Sequence, residues 1–250
     1  MAGLLRLRGD STLARAFQRA GAGALLVFAL VACGNPEEQQ IKDMKEQVQR
    51  ATGQKDFARV LEVSQKGLAL SQKVKGDKAP DTLYFAQGIT EGYRATRNTR
   101  LAASALKKEL ALRAGAGQDE KKLQPRRTLL IQMAEDNNDR LTAAEQAVAV
   151  ARGIDMGPGK DPQPVYRTST DYPATLFQQK IEGDVDIAYS LDSNGSVIEA
   201  HALKSTNPAF EPPALESFRQ WRFTPMLNEK REPVSASGLR FTMAFRLGNR

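Results

Sequence analysis

Two stretches near the C-terminus alternate apolar and polar residues with a period of two, which commits the end of the chain to a sheet. Val185, Ile187, Tyr189 and Leu191 interleave with Asp184, Asp186, Ala188 and Ser190. Leu239, Phe241, Met243, Phe245 and Leu247 interleave with Arg240, Thr242, Ala244 and Arg246. Successive side chains of a strand point to opposite faces, so each stretch reads as a half-buried strand with one oily face. Ser193-Asn194-Gly195 follows the first stretch, and residues that tolerate positive φ there predict a hairpin into a second strand. Ala214, Leu215, Phe218 and Trp221 then recur at helical spacing, with Pro225 read as the stop of that helix. With a short helix ahead of it, the order strand, strand, helix, strand predicts a small α+β domain built on a three-stranded antiparallel sheet.

Tyr172-Pro173, Glu182-Gly183-Asp184-Val185 and Trp221-Arg222-Phe223-Thr224-Pro225 frame these strands, and from about Tyr172 to Leu247 the stretch resembles the C-terminal domain of the TonB family, the periplasmic module of energy transducers. The resemblance is carried by these motifs, by the turn from Asp192 through Gly195 to Val197 and by the aromatic last strand. It implies that Tyr172, Pro173, Gly183, Gly195, Trp221, Phe223 and Pro225 hold the fold. In that family the domain sits against the plug of an outer-membrane receptor, whose TonB box joins the sheet as an extra strand. Force from an inner-membrane motor is carried through that pairing. Main-chain hydrogen bonds give such strand addition its affinity. The polar face of the last strand, with Arg240, Thr242 and Arg246, is the expected partner-binding surface. Envelope proteins are the expected partners, either an outer-membrane receptor or an inner-membrane motor complex.

The chain departs from the family pattern at three places. The N-terminal apolar segment is short, lacks histidine and ends in a cysteine. A helical region replaces the Pro-rich spacer. Arg167-Thr168-Ser169-Thr170-Asp171 stands where well-known members carry glutamines that meet the receptor. These departures leave a second reading open, a non-transducing envelope scaffold that holds partners through its helices and its TonB-like domain.

The N-terminus reads as an address. Arg6, Arg8, Arg15 and Arg19 precede an apolar run from Ala20 to Ala32, too short to span a bilayer core of ~30 Å and suited to a signal-peptide apolar region. The run ends in Leu30-Val31-Ala32-Cys33, which resembles a bacterial lipobox, and Cys33 is the only cysteine in the chain. The expectation is a signal peptide over 1–32, lipidation at Cys33 and a short tether over 33–38, which places the protein in the periplasm, anchored to a membrane by lipid. Acyl chains supply enough buried methylenes for stable attachment. Gly34 after the cysteine favours the outer membrane over the inner one. An ordinary cleaved signal and an uncleaved anchor are the alternatives.

Residues 39–155 are rich in Ala, Leu, Lys, Gln and Glu, which are good helix formers. Gly53, Gly76, Pro80, Gly115, Gly117 and Pro125 are read as breaks. Lys55-Asp56-Phe57-Ala58, Arg97-Asn98-Thr99-Arg100 and Asn137-Asn138-Asp139-Arg140 each open a helical segment, spaced like a repeat. The pattern resembles tetratricopeptide-like helical hairpins, with a non-repeat helical bundle as the alternative. Three prolines and two glycines between Ile154 and Pro164 predict a linker over 156–170, crossed by few contacts, and a separate domain over 171–250.

The formal net charge of +7 falls to +4 once the N-terminal segment is set aside, and no basic stripe interleaves with aromatics. That argues against nucleic acid. His201 is the only histidine, and with Cys33 lipidated no thiol remains. The chain therefore lacks the residue types for a His-pair metal site, a Ser-His triad or a Cys-His dyad. No cofactor, no metal and no catalysis are expected.

Overall fold

The computed structural model describes residues 35–247, so Cys33 and the leader lie outside the described residues. Six helices come first: α1 (Pro36–Gly53), α2 (Phe57–Lys75), α3 (Pro80–Ala95), α4 (Thr99–Gly115), α5 (Glu120–Asp136) and α6 (Arg140–Gly153). Helices α1–α2, α3–α4 and α5–α6 are joined by the same turn. In each a residue adopts positive φ, namely Lys55 (58°), Arg97 (59°) and Asn138 (58°). The next residue, Asp56, Asn98 or Asp139, caps the following helix. Its side chain accepts the backbone N–H three residues on, at Arg59, Leu101 and Thr142. An Asx cap satisfies one of the donors that a helix start leaves without a partner.

Small residues set how closely the helices approach. A Cβ on Gly67 of α2 would lie 2.4 Å from the Phe85 ring of α3. Gly67, Gly88 and Gly92 thus sit inside helices. Pro125 also lies within α5 and does not break it. It forfeits only the bond to the Lys121 carbonyl, while the Asp119 cap and the burial of Leu123, Leu130 and Ile131 hold the helix. Glu109 of α4 is completely buried, and its carboxylate accepts from Arg113 of its own helix (2.6 Å), Thr90 of α3 (2.9 Å) and Arg126 of α5 (2.8 Å). A charge removed from water needs such partners. Among the described residues, no helix is long and apolar enough to cross a membrane.

The second part contains β1 (Pro164–Tyr166), α7 (Ala174–Gln178), β2 (Gly183–Leu191), β3 (Val197–Ser205) and α8 (Glu211–Phe218). Then come β4 (Arg222–Phe223), β5 (Met226–Leu227), β6 (Pro233–Val234) and β7 (Ala236–Phe245). The main sheet is antiparallel and three-stranded, as expected, and its order is β3-β2-β7. Its inner face (Val185, Ile187, Tyr189, Leu191, Met243 and Phe245) packs on Leu176, Phe210, Ala214, Phe218 and Phe223.

Two expectations need correction. Trp221 does not lie on α8, which ends at Phe218. The chain leaves the helix so that Arg222-Phe223 can pair with β1, and Pro225 falls between two short strands rather than ending the helix. Nor is the linker crossed by few contacts. The Thr224 backbone N–H donates to the Gln163 carbonyl and the Gln163 N–H donates to the Thr224 hydroxyl, Val165 and Tyr166 pack against Ile131, Ala134, Ala143 and Ala147, and Met156 is buried with Ala151 and Leu227. Its prolines and glycines rule out helix, but they do not keep the segment off the surface of its neighbours.

Candidate functional site

The two edges of the main sheet differ. Along β3 the register with β2 slips twice, leaving Ile198 and Leu203 as extra residues, both exposed. Bulges spoil an edge for further pairing. Arg219, just past α8, also donates to the Ala200 carbonyl of β3 (3.2 Å). The other edge is β7. Its register with β2 runs without interruption from Leu239 to Phe245, with a single irregularity before it at Gly238. Among the described residues, no backbone hydrogen bond joins β7 to any strand or loop except β2. A straight, seven-residue edge is therefore open.

The three residues expected to meet a partner are placed unequally. All lie on the outer face. Thr242 donates to Asp186 of β2 (2.7 Å), and Arg246 donates to Asp184 (2.6 Å) and to the Gly183 carbonyl (2.7 Å). Arg240 is exposed and has no ion pair among the described residues. On the inner side the segment 167–172 runs beside β7 without pairing to it. The Arg167 guanidinium stands over the rings of Trp221 (5.0 Å) and Phe241 (6.0 Å), and Thr170 meets Ser217 and Met243.

The motif residues sit behind this edge. Tyr172 packs edge-on against Phe177, Phe210 and Phe245, and Pro173 immediately precedes α7. A Cβ on Gly183 would lie 2.0 Å from the Thr206 hydroxyl and 2.6 Å from the Phe210 ring. Gly195 has φ +79°, and a Cβ there would meet the Phe223 carbonyl at 2.0 Å. Asp192 shapes the same turn by accepting from the backbone of Asn194 and Ser196 (2.8 Å each). Trp221 and Phe223 are buried, in contact with Phe218 and Phe241. Between them Arg222 is 3% exposed. It donates to the Asn194 carbonyl (2.9 Å), to the Ser196 hydroxyl (3.0 Å) and to Glu135 of α5. Sequence reasoning missed Glu135 altogether, though a charge set between Trp221 and Phe223 was a signal that a buried partner existed.

Tyr189, in the middle of β2, meets Phe218 edge-on and lies tilted against Phe223, and burial pushes its phenol up to about 12. The unfolded phenol, near 10, ionises first. This contribution is therefore complete below pH 10 and is lost as pH rises towards 12, by about 2–3 kcal/mol. Denaturant unfolding between pH 9 and 12 should show that loss, and Tyr189→Phe should flatten it. Among the described residues, no cluster of His, Cys, Asp and Glu could hold a metal ion.

An antiparallel three-stranded sheet with one open edge is thus backed by Tyr-Pro and Trp-Arg-Phe-x-Pro. Residues 168–247 match the model of the Gram-negative bacterial TonB protein C-terminal. Protein TonB of Yersinia enterocolitica is 30% identical over 88 residues, 35% of this chain and 31% of that protein. The chain thus matches less than a third of the length of this curated relative. The six helices lie outside the TonB C-terminal match.

Proposed function

We propose that this chain is an envelope binding protein, held to a membrane by a lipid on Cys33, whose TonB-like domain accepts an extended segment of a partner along β7. The observation that carries the reading is the asymmetry of the sheet: β3 is interrupted by two bulges, and β7 presents Leu239–Phe245 with no paired strand on the side away from β2. Backbone N–H and C=O groups on such an edge bind a strand with little demand on its side chains. The partner is an envelope protein, an outer-membrane receptor or an inner-membrane motor component, and the role is in energy-dependent transport across the outer membrane. In this reading the domain works by binding, not by catalysis.

A second reading, a scaffold that transmits no energy, is favoured by the six helices (α1–α6), which offer a partner surface of their own. The helices are tetratricopeptide-like in that reading.

The test is titration of the protein with extended receptor-derived peptides while backbone amide shifts along 238–247 are followed. Thr242→Pro removes one backbone donor from β7 and should weaken binding at least about tenfold if that donor faces the partner. Arg240→Ala should change it by less than about threefold. No shifts on β7 with any peptide, or shifts confined to α8, would count against strand addition. The anchor is tested separately: palmitate labelling and membrane partitioning should both vanish in Cys33→Ser.

A further inference from the structure

The segments that join the helices to the TonB-like domain make more contacts than a tether needs. Arg222 and Glu135 form an ion pair with side chains only 4% and 10% exposed. Tyr166 donates to Asp136 (3.1 Å) one residue further along α5, and burial together with that carboxylate raises its phenol above the ordinary value. At the end of α6, Arg231 reaches Asp155 (2.5 Å) and the Arg152 carbonyl (2.6 Å) from the β5–β6 hairpin. The Leu227 backbone N–H bonds the Met156 carbonyl (3.0 Å), over a small core of Ala151, Met156 and Leu227.

We infer that residues 154–166 and 222–234 form a fixed joint, so that the helices and the TonB-like domain turn as one body and the helices set the direction in which β7 faces. Its elements come from both sides. Strand β1 pairs with β4 while its side chains pack on α5 and α6, and Arg222 grips the β2–β3 turn with the same guanidinium that holds Glu135. A buried charge pair cannot open without both groups being rehydrated, which resists small rotations as well as full separation. Pulling on β7 would then load α5 through Arg222 and α6 through β1 instead of stretching a coil. That functional consequence rests on the strand-acceptor reading; the joint itself does not.

Residues 158–161 are an exposed stretch of the joint's first segment whose hydrogen bonds stay within 155–163, so the chain can be cut there while the contacts to α5, α6 and 222–234 remain. The experiment uses the full chain with a specific protease site inserted after Gly159. After cleavage the two fragments should elute together as one species of the uncut size. Adding Glu135→Ala and Arg231→Ala should weaken their association about 100-fold or more, so that they separate at micromolar concentration. Helical circular dichroism and the emission of Trp221, the only tryptophan, report whether each fragment stays folded. Separation of the fragments without these substitutions overturns the joint, as does co-elution that persists with both substitutions. If the fragments separate while strand peptides still bind, the joint alone fails. If they stay together and no peptide binds, the strand-acceptor reading fails and the joint stands.

Discussion

Arg222→Ala is expected to lower the unfolding free energy by about 3–5 kcal/mol, because it leaves the Glu135 carboxylate buried without its cation. The same substitution withdraws the donor to the Asn194 carbonyl and the Ser196 hydroxyl, so the β2–β3 turn loosens with it. Urea unfolding at neutral pH, followed by Trp221 fluorescence, measures the loss. Glu135→Ala should cost a similar amount, because Arg222 then keeps its charge without a carboxylate. Replacing both at once with apolar residues of like size, Arg222→Met with Glu135→Leu, should recover most of the loss, since neither buried charge remains. An Arg222→Ala protein within about 1 kcal/mol of the parent would mean that water reaches the pair.

Trp221→Ala is expected to cost about 3–5 kcal/mol by opening a cavity between Phe218, Phe223 and Phe241. It also removes the ring beneath Arg167, a contact worth about 0.5–1 kcal/mol at a partly exposed site. The contrast lies in Trp221→Phe. Among the described residues the Trp221 indole N–H is buried without a hydrogen-bond partner, so phenylalanine loses area but sheds an unsatisfied donor. Its cost should be about 1.5 kcal/mol or less. Thermal unfolding by circular dichroism reads both variants, and equal losses would show that the indole N–H is paired.

What the sequence reveals about this fold follows the range of each interaction. Strands β2 and β7 are long enough for their period to stand out, and the Asp192–Gly195 turn carries its own chemistry. The end of α8 was misplaced because Ala214, Leu215, Phe218 and Trp221 keep helical spacing past the point where the chain turns away. The cause is pairing with β1, three residues long and nearly sixty positions upstream, too short to show any period. Glu135 and Arg222 are 87 residues apart and leave no local pattern at all. The open edge is a similar case. Alternation identifies the oily face of β7, but whether a strand is central or terminal depends on which others pair with it. One clue was present: the small apolar positions Val197, Ala200 and Ala202 switch parity between 197 and 200, which is how a bulge looks in sequence.

The unequal edges also bear on how copies of this protein meet at high concentration. Head-to-tail growth needs β7 of one copy to lie along β3 of the next, and the slips at Ile198 and Leu203 put the β3 amides out of step with any straight strand. That route to an open-ended filament is shut. Only β7 against β7 remains, a two-fold pairing that uses up both open edges and closes on itself. Crowding can therefore drive this sheet to a closed pair but not to a fibre.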